Sequence, residues 1–188
     1  MCMKRYFLSH LPLGLGYGLL IFVIKSGWWR FEWLSMFNWI WWLVGVVVGV
    51  LILFLDRIAY TYAYPNEQLS QYFTWYVKQK KYLSAVELLD SRRMEQERLT
   101  FRSALFMAVW VPLAFFALTS TTGLFGKGVV MGLMLHILKD SWALQKNDPQ
   151  RLHVRLFWII KRVITNEERM MFLWVITALF VGFSFLVS

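Results

Sequence analysis

The stretch FNWIWWLVGVVVGVLILFL, Phe37–Leu55, carries no charged side chain and stops against Asp56 and Arg57. A helix needs about 20 mainly apolar residues to cross about 30 Å of hydrocarbon, and this stretch supplies them. It lies in a chain of 188 residues, 59% hydrophobic and only 16% charged. Soluble domains run nearer to a quarter charged and about half apolar. With a mean hydropathy of +0.50, the class that follows is a polytopic membrane protein. The 11 Trp, 16 Phe and 8 Tyr agree, because aromatic rings settle at both membrane–water interfaces.

Outward from that stretch, further apolar segments occur at Tyr6–Ile24, Ser103–Leu124 (with Pro112 inside), Val129–Leu144 and Met170–Val187. The expected fold is all-α, one integral membrane domain over 1–188 with about five transmembrane helices. The segment 129–144 is short and partly polar, so it is expected to be tilted, shielded by its neighbours or only partly embedded. Gly45 and Gly49 have small-xxx-small spacing, and Gly14, Gly16 and Gly18 add a second glycine patch. Both read as places where helices approach closely. The N-terminal MCMKRYFLSHLPLGLGYGLL has the charged start and apolar run of a signal peptide. It lacks an A-x-A-like cleavage site, so it is expected to stay as an uncleaved first span. The lone cysteine, Cys2, leaves no intrachain disulfide and no cysteine metal cluster to consider.

Charge placement sets the expected orientation. Of the 20 Lys and Arg, all but Lys25, Arg30 and Lys127 fall in segments that are inside when the N-terminus is inside. Short loops rich in Lys and Arg stay cytoplasmic. The expectation is a multi-pass protein of the inner (plasma) membrane with a cytoplasmic N-terminus and an outer C-terminus. The net charge of +9 and pI near 9.9 then reflect this bias, and no nucleic-acid partner is expected.

The two inner loops carry pattern of their own. Residues 65–98 place Leu69, Tyr72, Phe73 and Tyr76, then Tyr82, Val86 and Leu89, at helical spacing on either side of KQKK (78–81). This predicts an amphipathic helical hairpin or bent helix on the inner leaflet. RLHVRLFWIIKRVI, Arg151–Ile164, alternates basic and large apolar residues and reads as interfacial. The expected partners are membrane lipids, with anionic head groups at the cytoplasmic face. GLFGKGVV, Gly123–Val130, lacks the spacing of a phosphate loop.

Ionisable residues within apolar segments are expensive, and each is a functional candidate until explained. They are His10, Asp56, Glu97, Arg102, His136, Lys139 and Asp140, all on the cytoplasmic half under this orientation. In GLMLHILKDSW, Gly132–Trp142, His136 and Asp140 stand at i and i+4. That spacing puts them on one helix face about 5–6 Å apart at Cβ.

The order of these residues resembles the YdjM-like family of bacterial inner-membrane proteins, described as metal-dependent hydrolases. The family shows an early His, then an L-P-D-x-D-H element, then H-R-G-x-T-H-S, then G-x-x-S-H-x-x-x-D. His10 in LSHLPLG looks like the first. FLDRIAY matches the second only at Asp56, with Arg57 and Ile58 in place of the rest. ERLTFRS places Glu97 at the first His of the third element and Arg102 at its second, keeping Arg98 and Ser103. GLMLHILKDSW keeps both His136 and Asp140. The resemblance implies a metal set drawn from His10, Asp56, Glu97, His136 and Asp140, and a catalytic group of His136, Asp140, Asp56 and Arg102. A catalytic zinc takes three protein ligands and one open position, where it would activate water against an ester or phosphoester.

The same residues admit two other readings. Asp56 or Asp140 could pair with Arg102 or Lys139 and clasp the bundle, or the cluster could hold a head group or small anion. Arg102 stands where a ligand is expected. The first reading is therefore a structural or lipid-interacting membrane protein with a degenerate active site and no resident cofactor. The alternative is a hydrolase using Zn or another divalent metal on a membrane or membrane-proximal ester or phosphoester. No repeated polar stripe and no inverted repeat favour a transporter.

Overall fold

The computed structural model describes residues 12–21, 33–121 and 123–187. His10, Cys2, Lys4, Arg5, Lys25 and Arg30 lie outside the described residues. Within them the regular structure is helical, with no strand. The helices are α1 (Pro12–Ile21), α2 (Trp33–Ala63), α3 (Gln68–Lys78), α4 (Tyr82–Ser91), α5 (Ala104–Thr119), α6 (Leu124–Asn147), α7 (Pro149–Phe157) and α8 (Asn166–Leu186).

The quoted stretch forms the middle of α2, but the helix does not end at Asp56. It runs 31 residues, to Ala63. Asp56 and Arg57 are buried and each meets a partner described below, so the charges do not interrupt it. The helix of the fourth apolar segment is also longer than expected. It begins at Leu124 and takes in Lys127, itself buried.

These two helices pack along most of their lengths through reciprocal glycines. A Cβ built on Gly45 would stand 2.2 Å from the Phe125 carbonyl oxygen, and one on Gly49 2.6 Å from the Leu133 nitrogen. From the other side, Gly128 would meet the Trp42 carbonyl oxygen at 2.3 Å and Gly132 the Val46 Cα at 2.6 Å. Each helix thus supplies a small-xxx-small pair to the other's backbone. The first glycine patch divides. Gly14 and Gly18 face α2, whereas Gly16 has nothing within 4 Å and corrects the expectation that all three serve close approach.

Trp42, Met107, Trp110, Met131, Met134 and Leu173 form the centre of the main core, drawn from α2, α5, α6 and α8. Ser103 caps α5 by accepting from the Phe106 N–H at 3.2 Å. A capping box of Thr165 and Glu168 opens α8. Among the described residues two helices, Trp39–Ala63 and Asn166–Leu186, are long and apolar enough to cross a membrane. The described part of α1 and the 16-residue α5 are apolar but shorter, and α6 carries Lys127, His136, Lys139 and Asp140 in its 24 residues.

Residues 65–98 fold as a hairpin of α3 and α4, turning at Lys80 with φ 57°. Leu69, Phe73, Ala85 and Leu89 make a small core that Ile58 of α2 completes. The hairpin is therefore docked on the end of α2. The second basic loop splits in two. In α7, Leu152, Leu156 and Phe157 are buried, while beyond it Ile159, Ile160 and Val163 are exposed, Val163 by 86%.

Candidate functional site

Asp56 and Arg57 are neighbours on α2, so their side chains leave the helix about 100° apart and serve different elements. The Asp56 carboxylate turns toward the segment before α5. Its Oδ1 accepts from the Thr100 N–H at 3.2 Å and its Oδ2 from the Phe101 N–H at 3.1 Å. Both oxygens thereby fix the turn that presents Arg102. The Arg102 guanidinium reaches Asp140 of α6, with Nη2 at 3.1 Å from Oδ2. Arg102 is 2% exposed and Asp140 22%. Arg102 and Arg155 also lie within electrostatic range of Asp56.

Arg57 takes the other direction. Its Nη1 donates to Oδ1 of Asp90 at the end of α4, at 3.3 Å, with both side chains buried. The hairpin is thus held to α2 by an apolar contact at Ile58 and a buried ion pair one residue earlier.

Asp56, Arg102 and Asp140 come together as one group. His136 is buried, and its Nε2 faces α1, 4.0 Å from where a Cβ on Gly14 would stand. Glu97 is exposed in the segment before α5. Lys139 is partly buried beside Asp140 and feels its charge. His10 lies outside the described residues. Among the described residues, no three His, Cys, Asp or Glu side chains form a group that could hold a metal ion. The chemistry that the described residues offer is charge compensation, with a guanidinium on the Asp140 carboxylate.

A cavity of about 390 Å³ opens beside this group, and Asp140 forms part of its wall. Arg57, Arg93, Arg151 and Arg155 line it together with Asp148. Asp148 closes α6 and caps α7, accepting from the Arg151 N–H at 3.0 Å, and its carboxylate lies 3.6 Å from the Arg151 side chain.

Sequence reading missed Asp90, Arg155 and the buried Arg169, which donates to Gln145 at 3.0 Å. Asp90 ends an amphipathic helix, a place where an acidic residue is ordinarily solvated. Arg155 gave a usable signal. It follows Arg151 by four residues, so the two share a face of α7. In comparisons with family models, curated proteins and solved structures, nothing matches this chain.

Proposed function

We propose that this chain is a multi-span protein of the bacterial inner membrane, a divergent YdjM-like protein. Its polar cluster acts as an ionic clasp in place of a metal-dependent hydrolase centre. The observation that carries this reading is the contact of Arg102 with Asp140 at 3.1 Å. A cation already sits on a carboxylate that the hydrolase reading gives to a metal. Asp56 is committed as well, since both of its oxygens accept backbone N–H groups.

The membrane reading rests on the outer surfaces of the helices. α5 exposes Leu105, Val109, Leu113 and Phe116, and α8 exposes Met171, Trp174, Val181 and Phe185. Apolar faces of this kind would be a liability in water and are the natural surface of a bundle in lipid. The hairpin adds exposed Tyr72, Trp75 and Tyr82. Lys81 lies 5.9 Å from the centre of the Trp75 ring and Arg92 5.3 Å from that of Tyr72. Aromatic rings beside cations suit an anionic membrane surface.

The test uses the full chain purified in detergent. Arg102→Gln is expected to lower unfolding stability by about 2 kcal/mol, because it removes the charged contact between the buried guanidinium and the partly buried Asp140 carboxylate. Adding Asp140→Asn should then cost far less than it does alone. One divalent metal per chain on elemental analysis, with stability lost on chelation, would replace the clasp with the hydrolase reading. Orientation is checked separately by cysteine labelling in a Cys2→Ser background. Gln79→Cys should be reached only from the cytoplasm and Ser120→Cys only from outside.

A further inference from the structure

We propose that the arginine-lined cavity between the ends of α2, α6 and α7 binds a phosphate group, as inorganic phosphate or as a phosphomonoester. The argument starts from how the arginines are held. Arg57 is buried and oriented by Asp90 at 3.3 Å. Arg151 is oriented by Asp148 at 3.6 Å, and Arg155 follows it by one helical turn on the same face of α7. Arg93, exposed in the turn after α4, contributes from a further element. Guanidinium groups that line one cavity from several elements, two of them held by carboxylates, suit the planar, bidentate recognition of phosphate oxygens.

The charge of the wall selects the ligand. The carboxylates that line the cavity, Asp140 and Asp148, are each already engaged by an arginine, Arg102 and Arg151 respectively. Four arginines against these two carboxylates leave the wall itself positive, although Asp90 behind the wall matches Arg57. A single carboxylate brings one negative charge, whereas a phosphomonoester brings about 1.5 to 2 and three acceptor oxygens. The volume, about 390 Å³, falls at the small end of ligand pockets, which run from about 300 to 1,000 Å³. That suits a phosphate with a small substituent, and leaves an attached chain to extend outward.

The site does not need the clasp reading, although Asp140 belongs to both. It rests on the membrane reading only for a lipid source of the phosphate. The experiment therefore separates the sources, using the full chain in phosphatidylcholine nanodiscs. Inorganic phosphate is titrated by calorimetry. In parallel, the chain in detergent is offered equal phosphatidic acid and phosphatidylglycerol, and the bound lipid is measured. Tight binding of inorganic phosphate assigns a soluble ligand. Preferential retention of phosphatidic acid, whose head group is a phosphomonoester, assigns a lipid. In either case Arg93→Gln and Arg155→Gln should each weaken binding about tenfold or more, the worth of a charged hydrogen bond. Arg93→Gln should do so with unchanged thermal stability, since that side chain is exposed. Absence of both binding events, equal retention of the two lipids without phosphate binding, or affinities unchanged in both variants would overturn the proposal. Loss of stability in Arg102→Gln would not bear on it.

Discussion

The α2–α6 seam and the polar end of the same two helices hold the bundle by opposite means. Along the seam, backbone meets backbone at Gly45, Gly49, Gly128 and Gly132, and a built Cβ would fall 2.2–2.6 Å from a neighbouring atom. At the polar end, Asp56, Arg57, Arg102 and Asp140 reach outward to other elements through long side chains. The seam works by exclusion and tolerates no added atom. The polar end works by compensation, and can be cut one partner at a time. Between helices in lipid, apolar surface alone gives no net attraction, so close backbone approach and polar contacts are what remain to hold helices together. α2 uses both, glycines against α6 and the side chains of Asp56 and Arg57 against the segment before α5 and the end of α4.

The largest expected effect breaks the seam. Gly132→Leu forces α6 off Val46 and should cost more than about 4 kcal/mol or prevent folding. Unfolding in detergent, followed by tryptophan fluorescence, measures it. Gly16→Leu is the internal control. With nothing within 4 Å of that glycine, the same substitution should stay within about 0.5 kcal/mol. Equal effects at the two glycines would mean that helix propensity and not the seam is being read.

A smaller effect is expected where α2 meets the hairpin. Arg57→Gln should destabilise by about 3 kcal/mol, since Asp90 is left buried without its ion-pair partner. Limited proteolysis should then cut between α3 and α5 first. Asp90→Asn in the same chain should restore part of the loss. If cleavage moves to the α5–α6 connection instead, the hairpin does not depend on this pair.

The smallest effect sharpens the account of the polar end. Ser103→Ala removes the cap of α5 and should cost about 1 kcal/mol. Its hydroxyl also donates to the Thr100 carbonyl at 2.8 Å, within the turn that Asp56 holds. In an Asp56→Asn background the loss should therefore differ from the single-variant value. Strict additivity would place Ser103 outside the Asp56–Arg102 arrangement.

What the sequence determined by itself was the helical class, the existence of α2, α5, α6 and α8, and the candidacy of Asp56, Arg102, His136 and Asp140. Apolar length, periodicity and the rarity of charge in apolar runs are local properties, and local properties survive in a string of letters. That 65–98 is helical on both sides of KQKK was legible for the same reason, through the spacing of Leu69, Phe73 and Leu89, while the choice of hairpin over bent helix came with the turn at Lys80. Tertiary structure decided the rest. The continuation of α2 through Asp56 and Arg57 to Ala63 depends on partners far along the chain, at Thr100, Phe101 and Asp90. The pairing of the Gly45/Gly49 motif with Gly128 and Gly132 depends on which helix comes to lie beside α2. The division of the polar residues, with Arg102 on Asp140 while His136 turns to Gly14 and Glu97 to solvent, depends on the rotation of α6 and on the course of the segment before α5. A charge in a sequence announces that it needs a partner, and only the packed chain brings one within 3 to 4 Å.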